Sequence, residues 1–153
     1  MEKDFKPRIM IVEGRYYEDI QDHLLEGAVN ILDEAGVSHE LISVPGAFEI
    51  PAAIGFAAKN ENRTAKFQRF DGFIALGCVI RGETTHYNHI CKEVSRGLMY
   101  LSLHQSLAIG FGLLTCETLE QALERASVNL GNKGADAARA CLTMCEHKNL
   151  FHA

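Results

Sequence analysis

Four short apolar runs, each adjoining a stretch with helical spacing, constrain this chain more than any other feature. The runs fall at residues 8–13, 40–44, 73–80 and 107–114, and the first three end at or near glycine: Gly14, Pro45-Gly46 and Gly82. The third run is too continuous for a strand wetted on one face, so it reads as buried on both. Between the runs the period changes. Ile20, Leu24, Ala28, Ile31, Leu32 and Ala35 recur at helical spacing, and Gly36 is a stop signal. A second helix is expected from Phe48 or Glu49 to Lys59, with Pro51 tolerable only in its first turn. A third, over 85–104, puts Ile90, Val94, Leu98 and Leu101 on one side. Thr118-Leu119-Glu120-Gln121 is a capping-box pattern opening a short helix to Ala126. A turn at 131–134 then leads into a last helix over 135–148. Alternation of this kind predicts an α/β domain of three layers, α/β/α, around a four-stranded parallel sheet.

The bulk numbers set outer limits. At 153 residues, 47% hydrophobic and 23% charged, the chain fits one globular domain able to bury a core without staples. A net charge of −5 argues against a nucleic-acid partner. No apolar run approaches the roughly 18 residues of a membrane span, and residues 1–7 lack the apolar core of a leader. Five cysteines with no Cys-x-x-Cys do not form a disulfide framework. A cytoplasmic protein is expected, with residues 1–7 flexible and the polar stretch 60–69 a solvated loop.

In a parallel sheet, ligands sit beyond the carboxyl ends of the strands at the switch point of strand order. The segments placed there are 14–17, 45–49, 81–86 and 115–117. The stretch 75–86 combines a strand, the break at Gly82 and the helix-opening residues Glu83, Thr84 and Thr85. Backbone N–H groups at such a junction converge on an anion such as phosphate. His86 follows at once and can carry a proton near neutral pH. Arg125 or Lys133 could supply a partner cation. Tyr16 could stack on a flat ring, although a half-buried aromatic is the plainer reading of it. Glu49 could simply favour its helix dipole. His86, His89 and Glu93 would share a helix face and could hold a divalent metal, as in a metal-dependent hydrolase; a solvated polar stripe competes with that reading. Cys141 and Cys145 read as small core residues. Residues 14–18 offer no hydroxyl other than the two tyrosines for an FMN phosphate, which argues against a flavodoxin-type flavin site.

Three motifs together, Val44-Pro45-Gly46-Ala47-Phe48-Glu49-Ile50-Pro51, the run 77–87 and Gly131-Asn132-Lys133-Gly134, resemble lumazine synthase from Arg8 to about Lys148. The resemblance implies a flavodoxin-like fold and the condensation of 5-amino-6-(D-ribitylamino)uracil with 3,4-dihydroxy-2-butanone 4-phosphate in riboflavin biosynthesis, with no cofactor and no metal. It implies Tyr16 stacked on the pyrimidine, Ala47, Phe48 and Glu49 along the ribityl chain, and Cys78, Val79 and Ile80 along the ring edge. Glu83, Thr84 and Arg125 would hold the phosphate, and His86 would carry the proton. Phe111 and Arg125 would reach the site from a neighbouring subunit of a homopentamer or a larger shell. Tyr16 stands where Phe is frequent in the family, Tyr17 where Asn is, and Asn129 where a Lys often lies near the phosphate. Arg125, with Lys133, would then supply most of the positive charge. A non-catalytic shell or flavin-binding protein on the same fold is the remaining alternative.

Overall fold

The computed structural model describes residues 4–60 and 69–153. The order of elements is β1 (Ile9–Gly14), α1 (Glu18–Ala35), β2 (His39–Val44), α2 (Ile50–Ala58), β3 (Gly72–Ile80), α3 (His86–His104), β4 (Ala108–Cys116), α4 (Leu119–Ala126) and α5 (Lys133–Leu150). The strands form one four-stranded sheet in the order β2-β1-β3-β4, every pair parallel. This is the expected three-layer α/β/α architecture, flavodoxin-like in its strand order. Of the loop expected at 60–69, residues 61–68 lie outside the described residues, as do 1–3 of the expected flexible start.

Strand side chains alternate between the two faces, and each face builds its own core. Ile9, Ile11, Ile74 and Leu76 pack with Ile20, Leu24, Ala28 and Leu32 of α1, and with small residues of α4 and α5. Met10, Val12, Phe73 and Ala75 pack the other way, against Ile50 and Ile54 of α2 and Val94, Leu98 and Leu101 of α3. Each fully buried Leu or Ile contributes roughly 1.5–3 kcal/mol, so the two cores together outweigh any surface ion pair. β3 is central and buried through seven of its nine residues, as its uninterrupted apolar run predicts.

Helix ends follow the local chemistry, with two adjustments. Gly36 ends α1 in the left-handed region (φ 66°), its N–H donating to the Asp33 carbonyl. Thr118 Oγ1 accepts from the Gln121 N–H at 3.2 Å, while Gln121 Oε1 accepts from the Glu117 N–H at 2.8 Å. The second helix starts later than expected: Ala47–Glu49 forms one 3-10 turn and α2 begins at Ile50. Pro51 has no N–H to donate back to Ala47, so the preceding turn closes by the Ile50 N–H instead. The turn at 131–134 is also tighter than its motif suggests. Asn132 takes a left-handed conformation (φ 49°) and α5 begins at Lys133.

Candidate active site

The strand order reverses between β1 and β3, since the chain leaves β1 for β2 on one side and returns to β3 on the other. The loops there are forced together. A Cβ on Gly14 would lie 2.6 Å from the Gly46 carbonyl carbon and 2.8 Å from the Ala47 nitrogen, so only glycine lets the two loops meet backbone to backbone. Beside this contact, at the carboxyl ends of β1 and β3, lies a cleft of about 670 Å³.

Three elements wall it. The loop after β1 supplies Tyr16 and Tyr17, the segment after β2 supplies Pro45 to Glu49, and the end of β3 supplies Cys78, Val79 and Ile80. Gly82, Thr84, His86, Tyr87 and Ile90 close the fourth side along the start of α3. Tyr16 is 74% exposed and projects from its loop, so the half-buried aromatic expected there is instead Tyr17. The two rings meet edge to face, with centroids 5.0 Å apart. Most of the lining is apolar, which suits a flat heterocycle and excludes water from around it.

The electrostatics are asymmetric along the cleft. Burial, with the nearby Cys116 and Cys91 thiols, pushes the Cys78 thiol up to about 12, so it stays neutral. Burial also raises the Tyr17 phenol, and the Tyr87 phenol in the same way. At the far end the amino terminus of the 19-residue α3 faces the cleft, with its partial positive charge. There Thr84 Oγ1 accepts from the His86 N–H at 3.3 Å, and no side-chain cap bond comes from Thr85. Among the described residues no Lys or Arg lines the cleft. Arg81, beside the helix start, is turned away: it pairs with Glu117 at 2.7 Å, bonds Asn88 and lies 4.3 Å over the Tyr87 ring.

The arrangement offers a stacking surface, an apolar slot and an anion-attracting helix end with an imidazole beside it. A sequence profile described as 6,7-dimethyl-8-ribityllumazine synthase matches residues 6–149. The chain belongs to the lumazine synthase family. Curated lumazine synthases agree with it over nearly their whole length. That of Afipia carboxidovorans is 51% identical over 92% of this chain and 85% of its own. That of Bartonella tribocorum is 51% identical over 95% and 93%, and that of Agrobacterium fabrum 50% over 94% and 95%.

Of the residues singled out from the lumazine synthase resemblance, Tyr16, Ala47, Phe48, Glu49, Cys78, Val79, Ile80, Thr84 and His86 line the one cleft. Glu83 sits between the lining residues Gly82 and Thr84 with its own side chain outside the lining. Phe111 and Arg125 are elsewhere: Phe111 is half-exposed on β4, the edge strand, and Arg125 Nη1 donates to the Gln121 carbonyl within α4. Lys133 pairs with Asp136 at 3.1 Å. Tyr17, Tyr87 and Ile90 line the cleft without having been given a role. Helical phase alone pointed to the last, since Ile90 lies one turn on from His86. The face proposed for a metal does not assemble one: among the described residues no three His, Cys, Asp or Glu side chains gather at a metal site. Glu93 instead takes a hydrogen bond from Arg96, which holds its carboxyl below the ordinary range.

Proposed function

We propose that the cleft condenses 5-amino-6-(D-ribitylamino)uracil with 3,4-dihydroxy-2-butanone 4-phosphate to give 6,7-dimethyl-8-ribityllumazine, with release of phosphate and water. The observation that carries this reading is the convergence of nine family-matched residues from three separate chain segments on one cleft. Tyr16 stacks on the pyrimidine, Ala47 to Glu49 follow the ribityl chain, and Cys78 to Ile80 form the floor at the ring edge. The phosphate sits at the start of α3, held by Thr84 and the backbone N–H of Glu83. The Glu83 carboxylate would repel a phosphate, and its side chain lies outside the lining of the cleft.

The mechanism needs little from any one side chain. The amine attacks the ketone to form an imine with loss of one water, phosphate leaves by elimination, and the ring closes on the remaining carbonyl with loss of a second water. Alignment of two reactants supplies on the order of 10⁵–10⁸ M of effective concentration. His86 carries the proton between amine, carbonyl oxygen and leaving phosphate, a contribution of about 10²–10⁴-fold.

Among the described residues, the site as one chain presents it lacks a cation for a dianionic ligand. Arg125 is available: no carboxylate among the described residues pairs with it, and its one bond is to its own helix. Arg125 and Phe111 therefore serve the cleft of an adjacent copy in a homopentamer or larger shell, each site lying between two chains. The half-exposed Phe111 on the edge strand supports this. Five free thiols support a reducing, cytoplasmic setting, and among the described residues no helix is long and apolar enough to cross a membrane.

The test is direct. Protein mixed with both substrates should produce lumazine fluorescence, and chelator should not suppress it. A folded, assembled protein that forms none overturns the reading; activity lost to chelator and restored by zinc or manganese transfers it to metal chemistry.

A further inference from the structure

Arg15 stands between the end of β1 and the start of α1, immediately before Tyr16 and outside the lining of the cleft. All three of its guanidinium nitrogens are engaged. Nε donates to Glu13 Oε1 at 2.7 Å, Nη1 to Glu18 Oε2 at 2.6 Å, and Nη2 pairs with Asp22 Oδ1 at 2.8 Å. The same Glu13 oxygen accepts from Ser43 Oγ at 2.7 Å, which carries the network onto β2. The Arg15 N–H donates to the Val44 carbonyl at 3.1 Å, one step beyond the β1–β2 ladder. One residue is thus fastened to β1, β2 and the first two turns of α1.

Stability accounts for the pair with Glu13, whose side chain is 2% exposed, and does not account for the outward reach of the other two nitrogens. Glu18 and Asp22 are about two-thirds exposed, and ion pairs of that kind contribute little each. Geometry does account for it. Tyr16 projects into solvent with the Tyr17 ring as its one aromatic neighbour among the described residues, so the position of its ring is set by the backbone that bears it. That backbone is clamped by Arg15 on one side and, on the other, by the Tyr17 carbonyl accepting from the Gln21 N–H.

We infer that Arg15 is a positioning residue for pyrimidine binding, acting through Tyr16 by fixing the loop that joins β1 to α1. The inference rests on the stacking role proposed for Tyr16. A planar fork with fixed donor directions suits three carboxylates at once, and a single ammonium does not. Loss of the fork lets the ring wander without removing it.

The experiment compares steady-state kinetics of Arg15→Met, Arg15→Lys, Tyr16→Ala and the Arg15→Met/Tyr16→Ala double variant. Stacking of a base on an aromatic ring has a size that makes Tyr16→Ala raise the pyrimidine KM by roughly tenfold or more. Arg15→Met should raise it about fivefold, a part of that effect, with kcat and the KM for the phosphate substrate within about twofold. Arg15→Lys should recover only part. In the Tyr16→Ala background, Arg15→Met should add nothing, because its effect passes through the ring. Arg15→Met leaves the buried Glu13 carboxylate without its cation. Should it not fold, Glu13→Gln/Arg15→Met keeps the strand neutral, and Glu18→Ala/Asp22→Ala removes only the outer contacts; both are read by the same split. An unchanged pyrimidine KM in Tyr16→Ala defeats the stacking role itself. A raised KM there, with no change in the folded network variants or an undiminished Arg15→Met effect in the double variant, overturns the inference about Arg15.

Discussion

The two faces of the sheet are finished differently. Against α1, α4 and α5 the packing is backbone on backbone. A Cβ on Gly110 would fall 2.0 Å from the Ala137 carbonyl oxygen, and one on Gly134 2.0 Å from that of Leu24. Gly72 in turn makes room for the Cys141 and Cys145 thiols. Against α2 and α3 the same strands are covered loosely: Phe56, Met99, Leu103 and Phe111 stay at least half exposed. The first face is finished on the sheet itself, although Leu119, Met144 and Leu150 on its helices stay about half exposed; the second leaves a strand residue, Phe111, open together with apolar surface of its helices, of the kind that marks an interface. The helix whose amino terminus faces the cleft belongs to the unfinished face, so the proposed chemistry and the proposed interface share one element.

The largest effect on stability should come from filling the finished face. Gly110→Ala places a methyl group where a carbonyl oxygen lies, and neither backbone can yield without moving α5. A loss of about 3 kcal/mol is expected, read from the denaturant midpoint. Phe56→Ser, on the loose face, should shift the midpoint of the separated chain by no more than about 0.5 kcal/mol. Equal shifts would erase the distinction between the faces.

The largest effect on activity should be that of His86→Ala, at the cleft end of α3. Turnover should fall by about 10²–10⁴-fold and remain measurable, because alignment of the reactants persists. Its complete loss in an intact assembly would show that proton transfer dominates. Arg125→Ala follows. Arg125 stands on α4, a helix of the finished face, and is proposed to serve a neighbour's phosphate. A charge-assisted hydrogen bond of about 1.5–3 kcal/mol corresponds to a roughly 10- to 150-fold rise in the KM for the phosphate substrate. A fall in kcat at unchanged KM would instead put the guanidinium at the transition state. Smaller again is Leu103→Ser, which removes one large apolar side chain from the open face. If the proposed assembly uses this face, sedimentation at low concentration should show smaller species; an unchanged profile would take Leu103 out of the proposed interface.

These contrasts were unevenly legible in the sequence. The parallel sheet was plain because buried strands and amphipathic helices carry different periods, and Gly14, Gly36 and Gly82 mark the junctions. The close packing at Gly110 was visible as glycine inside an apolar strand. The start of α2 was misplaced by one or two residues because the missing N–H of Pro51 acts through the turn before it, a short-range effect that periodicity does not report. The metal reading of His86, His89 and Glu93 rested on helical phase, which ignores the Arg96 side chain that claims Glu93. Tyr16 was harder. Exposure of a single aromatic depends on how neighbouring loops meet, and the Gly14–Gly46 contact beside it joins positions 32 residues apart. Arg15 left no signal at all, since its three partners are ordinary surface-type residues until the fold gathers them.

At neutral pH the smallest effect belongs to Cys78, on the central strand where the finished face meets the cleft. Its thiol is neutral in the folded protein because burial, aided by Cys116 and Cys91, raises it from 9.0 to about 12. Once unfolded, the same thiol ionises near its ordinary value. Above pH 9 the unfolded chain therefore binds fewer protons than the folded one, and stability must fall as pH rises from 9 toward 12, with no contribution below 9. Cys78→Ala removes that linkage, so its loss of Tm between pH 9 and 10.5 should be shallower than that of the unsubstituted chain. The slope should not vanish, because burial also raises Cys116 and Cys91. In native protein at pH 8, iodoacetamide should label Cys78 far more slowly than in denaturant, since the thiolate is the nucleophile. Rapid native labelling, or parallel Tm slopes in the two proteins, would mean that water reaches the cleft floor and that the finished face ends short of Cys78.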